Sequence, residues 1–230
     1  MAVYLTGDTH GDFTRIFQFC DEYGTTEDDI LVILGDAGIN VCCDFRDNIL
    51  KRELANLSIT LFCIHGNHEE RPFLLGYEEM EWHGGIVYYE EMYPNLLFAK
   101  DGEIYDFDGK KAIAIGGAYS VDKFYRINSG YPWFESELPT DEIKEYVEEQ
   151  LDKCGWCVDY VFSHTVPIQY EPVWAFIPGL NQDMIDKSME RWLQDIAEKL
   201  DFERWYAGHY HVESEEDQIR IMFEDYEELD

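Results

Sequence analysis

The chain has 230 residues, 46% of them apolar and 16% aromatic, enough to bury a sizeable core and too many for a disordered polymer. Its 17 basic against 49 acidic residues leave a formal charge of −32. That charge repels nucleic-acid backbone and anionic lipid at long range, and argues against a DNA-coating or membrane-surface protein.

Residues 3–5 read as a short strand, and Phe13, Ile16, Phe17 and Cys20 follow at helical spacing. The continuous apolar run 30–34 has the character of a strand covered on both faces. Phe45, Ile49, Leu50, Leu54 and Leu57 repeat the helical spacing, and 61–64 is a third strand candidate. This β-α-β-α-β order predicts a mostly parallel sheet with right-handed crossovers. Residues 86–115 read as short strands joined by tight turns, with Asp108-Gly109 a hairpin signal. Residues 118–139 read as a long irregular segment, a kind of loop more often functional than idle. Ile143, Tyr146, Val147 and Leu151 mark a helix, 158–162 a strand, and 184–200 an amphipathic helix. Strands near 205–207 and 219–223 complete the core, and the acidic tail 224–230 is expected to be solvated and partly frayed. No linker divides the chain, so 1–230 is read as one domain.

No cationic stretch followed by an apolar run opens the sequence. No run approaches the roughly 20 apolar residues that span a bilayer. On that basis a cytoplasmic location is expected, with Cys20, Cys42, Cys43, Cys63, Cys154 and Cys157 reduced.

Polar residues collect where strands end. Asp8 and His10 follow the first strand, Asp36 the second, and Asn67 and His68 the third. His164 follows 158–162, and His209 and His211 follow 205–207. Ligands of open α/β sheets bind at the carboxyl ends of strands, so five strand ends delivering such residues predict one site. Imidazoles and carboxylates with one amide and no thiol suit a pair of divalent metals of the manganese, iron, zinc or nickel kind. The two-residue spacing of Asp8/His10 and of His209/His211 would put each pair on one side of an extended segment. Gly7, Gly35, Gly66 and Gly208 precede the clusters and would permit sharp turns and close backbone approach.

The ordered blocks Gly-Asp-x-His, Gly-Asp, Gly-Asn-His-Glu, Ser-His and Gly-His-x-His, spread from residue 7 to residue 211, resemble the calcineurin-like metallophosphoesterases. The resemblance implies an α/β fold, a four-layer αββα sandwich of two mixed β-sheets flanked by helices. It implies one metal held by Asp8, His10, Asp36 and His211, and another held by Asp36, Asn67, His164 and His209. Asp36 would bridge them, and His68 would face the substrate and protonate the leaving oxygen. The implied reaction is hydrolysis of a phosphomonoester or phosphodiester by a hydroxide shared between two divalent ions, manganese first, with iron, zinc, nickel or magnesium as alternatives.

The match departs from the Ser/Thr protein phosphatases of that superfamily, which carry Asp-Arg-Gly where this chain has Asp36-Ala37-Gly38. Arg71 lies close to the Gly-Asn-His-Glu block. The Gly-His-x-His block is closer to bacterial small-substrate phosphoesterases. The stretch from Gly116 to Arg126, followed by Trp133 and Glu135, resembles one found in a subset of bacterial members, and Arg126 is expected to contact a substrate phosphate. The expected partner is a small phosphate ester, nucleotides included, rather than a membrane or a long nucleic acid. The sequence leaves the oligomeric state open.

Rival readings are a nuclease or nucleotide phosphodiesterase and a non-catalytic scaffold of the same fold. Cys154 and Cys157 raise a third, dithiol redox chemistry, against which stands their place at a helix end beside Asp152 and Asp159. Singly, Asp8, Asp36 and Asn67 could cap helices or hold turns. Glu69 is expected to anchor its loop by hydrogen bonds, and His65 to be a buried, hydrogen-bonded strand residue.

Overall fold

A computed structural model describes residues 1–229. In chain order its elements are β1 (Val3–Thr6), α1 (Thr14–Tyr23), β2 (Ile30–Ile33), α2 (Phe45–Leu54), β3 (Thr60–Cys63), β4 (Glu78–Trp82), β5 (Gly85–Tyr89), β6 (Leu96–Ala99), β7 (Ile104–Phe107) and β8 (Lys110–Ile115). Then come α3 (Lys123–Ser129), α4 (Asp141–Lys153), β9 (Tyr160–Ser163), α5 (Ser188–Ala197), β10 (Arg204–Ala207), β11 (Ser214–Glu216), β12 (Ile219–Ile221) and β13 (Glu227–Glu228). One sheet has the order β13-β1-β2-β3-β6-β5-β4 and the other β11-β12-β10-β9-β8-β7. Both are mixed: β1, β2, β3 and β6 run parallel, as do β8, β9, β10 and β12, and antiparallel strands take the edges.

The period of two along each central strand builds the layers. Ile30 and Val32 of β2 face the other sheet, and Leu31 and Ile33 face the helices. In the second sheet, Ala112, Ala114, Tyr160 and Phe162 point inward while Ile113, Ile115 and Val161 point out. Every one of these positions is apolar because both faces are covered. The inner core joins residues of both sheets, among them Leu5, Phe62, Tyr105 and Phe162. The outer cores join the first sheet to Ile16, Phe19 and Leu54 of α1 and α2, and the second to Val147, Leu151, Met189 and Leu193 of α4 and α5. The result is the expected αββα sandwich of two mixed sheets. No helix among the described residues is long and apolar enough to cross a membrane.

Four sequence expectations need correction. The helix expected over 184–200 starts only at Ser188: Asp186 Oδ1 accepts the Ser188 N–H at 2.8 Å in an Asx turn, and exposed Met184 lies in a preceding 3₁₀ turn. The segment 118–139 contains α3 and a 3₁₀ turn at Glu135–Glu137. On α2, Phe45 and Ile49 are exposed, and the helix instead buries Asp47, Lys51 and Leu54. The tail is not frayed through Leu229. β13 pairs antiparallel with β1, and Tyr226 stacks on Phe19 with ring centroids 4.2 Å apart.

Candidate metal centre

All seven expected ligands and His68 converge at the carboxyl ends of β1, β2, β3, β9 and β10, on loops where the two sheets meet. Asp8, Asp36, Asn67 and His164 are buried, His68 and His209 are half-buried, and His10 and His211 are exposed. The cluster is therefore a wall of carboxylates covered by an outward-facing rim of imidazoles.

Asp36 stands at the middle. Its Oδ1 accepts the His68 backbone N–H at 2.8 Å. Its Oδ2 lies 3.6 Å from His164 Nε2, 3.9 Å from His10 Nδ1 and 3.9 Å from His68 Nε2. Asp8 Oδ1 accepts the His209 backbone N–H at 2.9 Å, and its Oδ2 lies 3.2 Å from His211 Nε2 and 3.6 Å from His10 Nε2. Two donor groups result, each with atoms mutually within 4.8 Å: Asp8, His10 and His211, and Asp8, Asp36 and His164. Among the described residues His209 joins neither donor group, but its ring stands against that of His164, centroids 4.9 Å apart.

The donor chemistry fits cations. His164 Nδ1 faces the Leu34 carbonyl at 2.8 Å and must donate to it, because a carbonyl only accepts. That leaves Nε2 directed at Asn67 Oδ1 at 2.9 Å and at Asp36 Oδ2. Three electron-pair donors thus face one another, an arrangement that only a proton or a metal ion reconciles. An imidazole whose second nitrogen is tied to a backbone carbonyl is also the usual oriented metal ligand. His10 Nε2 and His211 Nε2 meet at 2.7 Å beside Asp8 Oδ2, so the same convergence occurs a second time.

The electrostatics carry the same signature. Burial opposes the charge of His164, but the Asp36 and Asp8 carboxylates outweigh it and push its pKa up to about 9. Burial likewise opposes ionisation of Asp36, yet the His164, His68 and His10 imidazoles hold its carboxyl well below the usual range. Burial, then the neighbouring His164 charge, lowers His209 to about 3, and burial lowers His10 and His68.

The local backbone reaches this geometry differently from the extended pairs expected of Asp8/His10 and His209/His211. His10, Asp36, His209 and His211 all have left-handed φ, at 49°, 48°, 70° and 53°. Left-handed turns, not the alternation of a strand, aim these side chains. Of the preceding glycines only Gly35 has positive φ (93°). At Gly7, Gly66 and Gly208 the constraint is approach: a Cβ would stand 2.2 Å from Met222 O, 2.0 Å from Asp36 Oδ1 and 2.3 Å from Asp8 Oδ1. Glu69 anchors its loop as expected, accepting N–H groups from Gly38 at 3.0 Å and Gly66 at 3.2 Å. Burial, then the Asp36 charge, raises its carboxyl to about 7.

The other residues distinguished in the sequence have definite places. Arg126, on α3, donates from Nε to Asp122 Oδ2 at 2.8 Å and from Nη2 to His68 Nε2 at 3.2 Å. Arg71 turns away from the cluster, bonding Asp101 and the Ser136 carbonyl. His65 is buried as expected, but it lies two residues beyond β3 rather than in a strand, and its Nε2 has no hydrogen-bond partner. Cys154 Sγ contacts the Leu151 carbonyl at 3.2 Å and Cys157 Sγ lies 3.9 Å from Asp201, both away from the cluster.

Several contributors were not foreseen. Ser120 Oγ accepts from Asn67 Nδ2 at 2.9 Å, with Asn67 Oδ1 turned to His164 Nε2. Arg15 Nη2 donates to the Gly7 and Asp8 carbonyls at 3.0 and 3.1 Å, holding the first loop. A cavity of about 280 Å³ opens beside Asp36, Asn67, His68 and His209, walled by residues 175–187 and by Tyr210 and Glu190. One signal for it was available: Glu190 is a lone acid on the apolar face of α5, among Met189, Trp192 and Leu193.

A family model for the calcineurin-like phosphoesterases matches residues 1–213. The chain belongs to that family. Among solved structures, the crystal structure of TT1561 of Thermus thermophilus is 11% identical and covers 99% of this chain and 97% of its own, with a TM-score of 0.53. A second crystal structure is 15% identical, covers 96% of this chain and 90% of its own, and has a TM-score of 0.54. At these identities they show a shared fold. No curated protein matches the sequence. As a calcineurin-like phosphoesterase the chain is a metal-dependent hydrolase of phosphate esters by family, and its Asp/His groups could hold divalent ions.

Proposed function

We propose that this calcineurin-like phosphoesterase holds two divalent ions and hydrolyses a small phosphomonoester or phosphodiester. The observation that carries the proposal is Asp36 Oδ2, which three imidazoles approach within 4 Å from both halves of the cluster. Asp8, His10, Asp36 and His211 form one ligand set. Asp36, Asn67, His164 and His209 form the other, with Asp36 common to both. Manganese heads the fitting metals, since nitrogen and oxygen donors without thiolate suit it, and iron, zinc, nickel and magnesium follow. Bound there, the ions supply Lewis-acid polarisation of the phosphoryl oxygens and a deprotonated water at neutral pH.

The chain's own residues supply the rest. Burial of Asp8, Asp36 and His164 keeps bulk water from competing for the ligand atoms. His68 is the proton donor to the leaving oxygen. Its Nε2 accepts from Asn67 Nδ2 and Arg126 Nη2, both at 3.2 Å, so the resting neutral ring carries its proton on the buried Nδ1, which has no partner. A substrate phosphate that draws Arg126 Nη2 to itself leaves the Asn67 amide as the one remaining donor to Nε2, which can then take up a proton from solvent water and deliver it to the leaving oxygen. Arg126 thereby both binds the phosphate and releases the acid. The charge of −32 favours a small ester, nucleotides included, over long nucleic acid.

The test uses metal-stripped protein with Mn²⁺, Ni²⁺, Zn²⁺ or Mg²⁺ restored singly, assayed on p-nitrophenyl phosphate and bis-p-nitrophenyl phosphate. Metal-restored turnover that Asp36→Ala abolishes, and that His68→Ala reduces by about 10²–10⁴-fold, is expected. A protein that binds no metal refutes the proposal.

A further inference from the structure

The cavity beside the cluster is asymmetric. At one end lie Asp36, Asn67 and His68. The remaining wall is chiefly apolar, with Tyr119, Val121, Phe176, Ile177, Leu180 and Ile185. Glu190 also lines it. This residue is 3% exposed; its Oε1 accepts Thr165 Oγ1 at 3.1 Å, while its Oε2 is buried without a partner. A buried acceptor left unpaired costs about 1–3 kcal/mol, so it is a natural place for a ligand's donor. Asp122 and Asp186 add two more carboxylates to the lining. Lys187 is the one cation among the lining residues, and it is engaged: Nζ bonds Glu171 Oε1 at 2.5 Å and lies 4.8 Å over the Phe176 ring.

From this we infer that the cavity receives the alcohol portion of the ester and selects an uncharged or cationic, largely apolar alcohol whose N–H or O–H donates to Glu190 Oε2, and rejects anionic alcohols. The inference rests on the phosphoesterase reading above and adds the substrate class. Away from the metal-ligand end, an anionic leaving group, including a polyphosphate or a carboxylated alcohol, would enter beside Glu190 and Asp186, with Asp122 already paired to Arg126 and no free lysine or arginine among the lining residues to meet it. A volume of about 280 Å³ lies at the lower edge of ordinary ligand pockets and suits a body of about one ring. Burial, the largest influence on Glu190, raises its carboxyl to about 7, which keeps the empty pocket tolerable near neutrality and leaves it ready to ionise against a cationic partner.

The experiment compares three matched esters on the Mn²⁺-loaded full chain: 4-(aminomethyl)phenyl, 4-(hydroxymethyl)phenyl and 4-carboxyphenyl phosphate. The aminomethyl and hydroxymethyl esters should exceed the carboxyl ester in kcat/KM by at least about tenfold, since like charges juxtaposed in a binding site cost several kcal/mol. Glu190→Gln should shrink that ratio by at least about tenfold, mostly by improving the carboxyl ester. A second arm needs neither metal nor turnover: saturation-transfer NMR of the three free phenols with metal-free wild-type protein. The aminomethyl and hydroxymethyl phenols should bind and 4-hydroxybenzoate should not. Equal kcat/KM values, an unchanged ratio in Glu190→Gln, or equal binding of the three phenols overturns the inference. If no ester turns over with any metal, the hydrolase reading fails, and the phenol arm alone decides the pocket.

Discussion

Gly66 offers a direct test of how tightly the Asp36 and Asn67 loops are locked together. A Cβ at this position would stand 2.0 Å from Asp36 Oδ1 and 2.2 Å from Asp36 N. Ordinary van der Waals contact begins at 3.4 Å, and one of the clashing atoms is backbone, so Gly66→Ala must push one loop off the other by more than an ångström. Such overpacking costs about 1–3 kcal/mol. The displacement also breaks the 2.8 Å bond from the His68 N–H to Asp36 Oδ1, and a bond to a charged acceptor adds about 1.5–3 kcal/mol. Together about 2.5–6 kcal/mol is lost. At about 2–4 °C per kcal/mol for a chain of this size, the melting temperature should fall by roughly 5–24 °C. Because Asp36 itself moves, Mn²⁺ affinity should fall by about 10–100-fold, the usual cost of disturbing what holds a ligand. Calorimetric melting and Mn²⁺ titration of wild type, Gly66→Ala and Gly109→Ala read both effects. Gly109 is the control, since a Cβ there meets nothing within 4 Å and its cost comes only from its left-handed φ of 92°. A Gly66→Ala protein that melts within about 2 °C of wild type and binds Mn²⁺ equally would refute the locked-loop geometry.

Two further outcomes follow from the site. Glu190 is raised from 4.5 to about 7 in the fold, chiefly by burial, so between those values the native protein holds a proton that the unfolded chain has released. Stability present below pH 4.5 is therefore lost as the pH rises through 7, and wild type should lose about 3 kcal/mol relative to Glu190→Gln between pH 4.5 and 8. Urea unfolding of both proteins across that range checks it, and a pH-independent difference between them would count against the buried carboxyl. Arg126→Ala should lower kcat/KM on phosphate esters by at least about tenfold, the value of one charge-assisted contact. An unchanged kcat/KM removes Arg126 from the site.

The sandwich was largely legible because burial on both faces leaves a simple trace. Runs such as 30–34 and 61–64 are apolar at every position, which only a doubly covered strand requires. The misread elements are those where a local bond outweighs periodicity. Met184 and Ile185 continue the apolar pattern of α5, yet Asp186 captures the Ser188 N–H and starts the helix later. The tail 224–230 is acidic at every position but Tyr226 and Leu229, a pattern that reads as solvated. Its two-residue strand is held by backbone pairing with β1 and by Tyr226 against Phe19, contacts more than 200 residues away in sequence.

The site was legible in its ligands and illegible in its walls, for a physical reason. A metal centre needs particular atoms, and only Asp, Asn and His supply them here, so their identities survive as a pattern even where the backbone reaching them was misjudged. His10, His209 and His211 show this: the residue types pointed to the cluster, although left-handed turns rather than extended segments deliver them. An apolar pocket wall asks only for bulk. Phe176, Ile177 and Leu180 are indistinguishable in sequence from core residues, and nothing local brings residues 175–187 over the loop that follows β10. The one informative mark was the misfit. Glu190 breaks the apolar face of α5, and a helix bears that desolvation cost only where something answers it. Thr165 answers one oxygen; the other is buried without a partner in a residue that lines the cavity, and a donor on the substrate is the partner we infer for it.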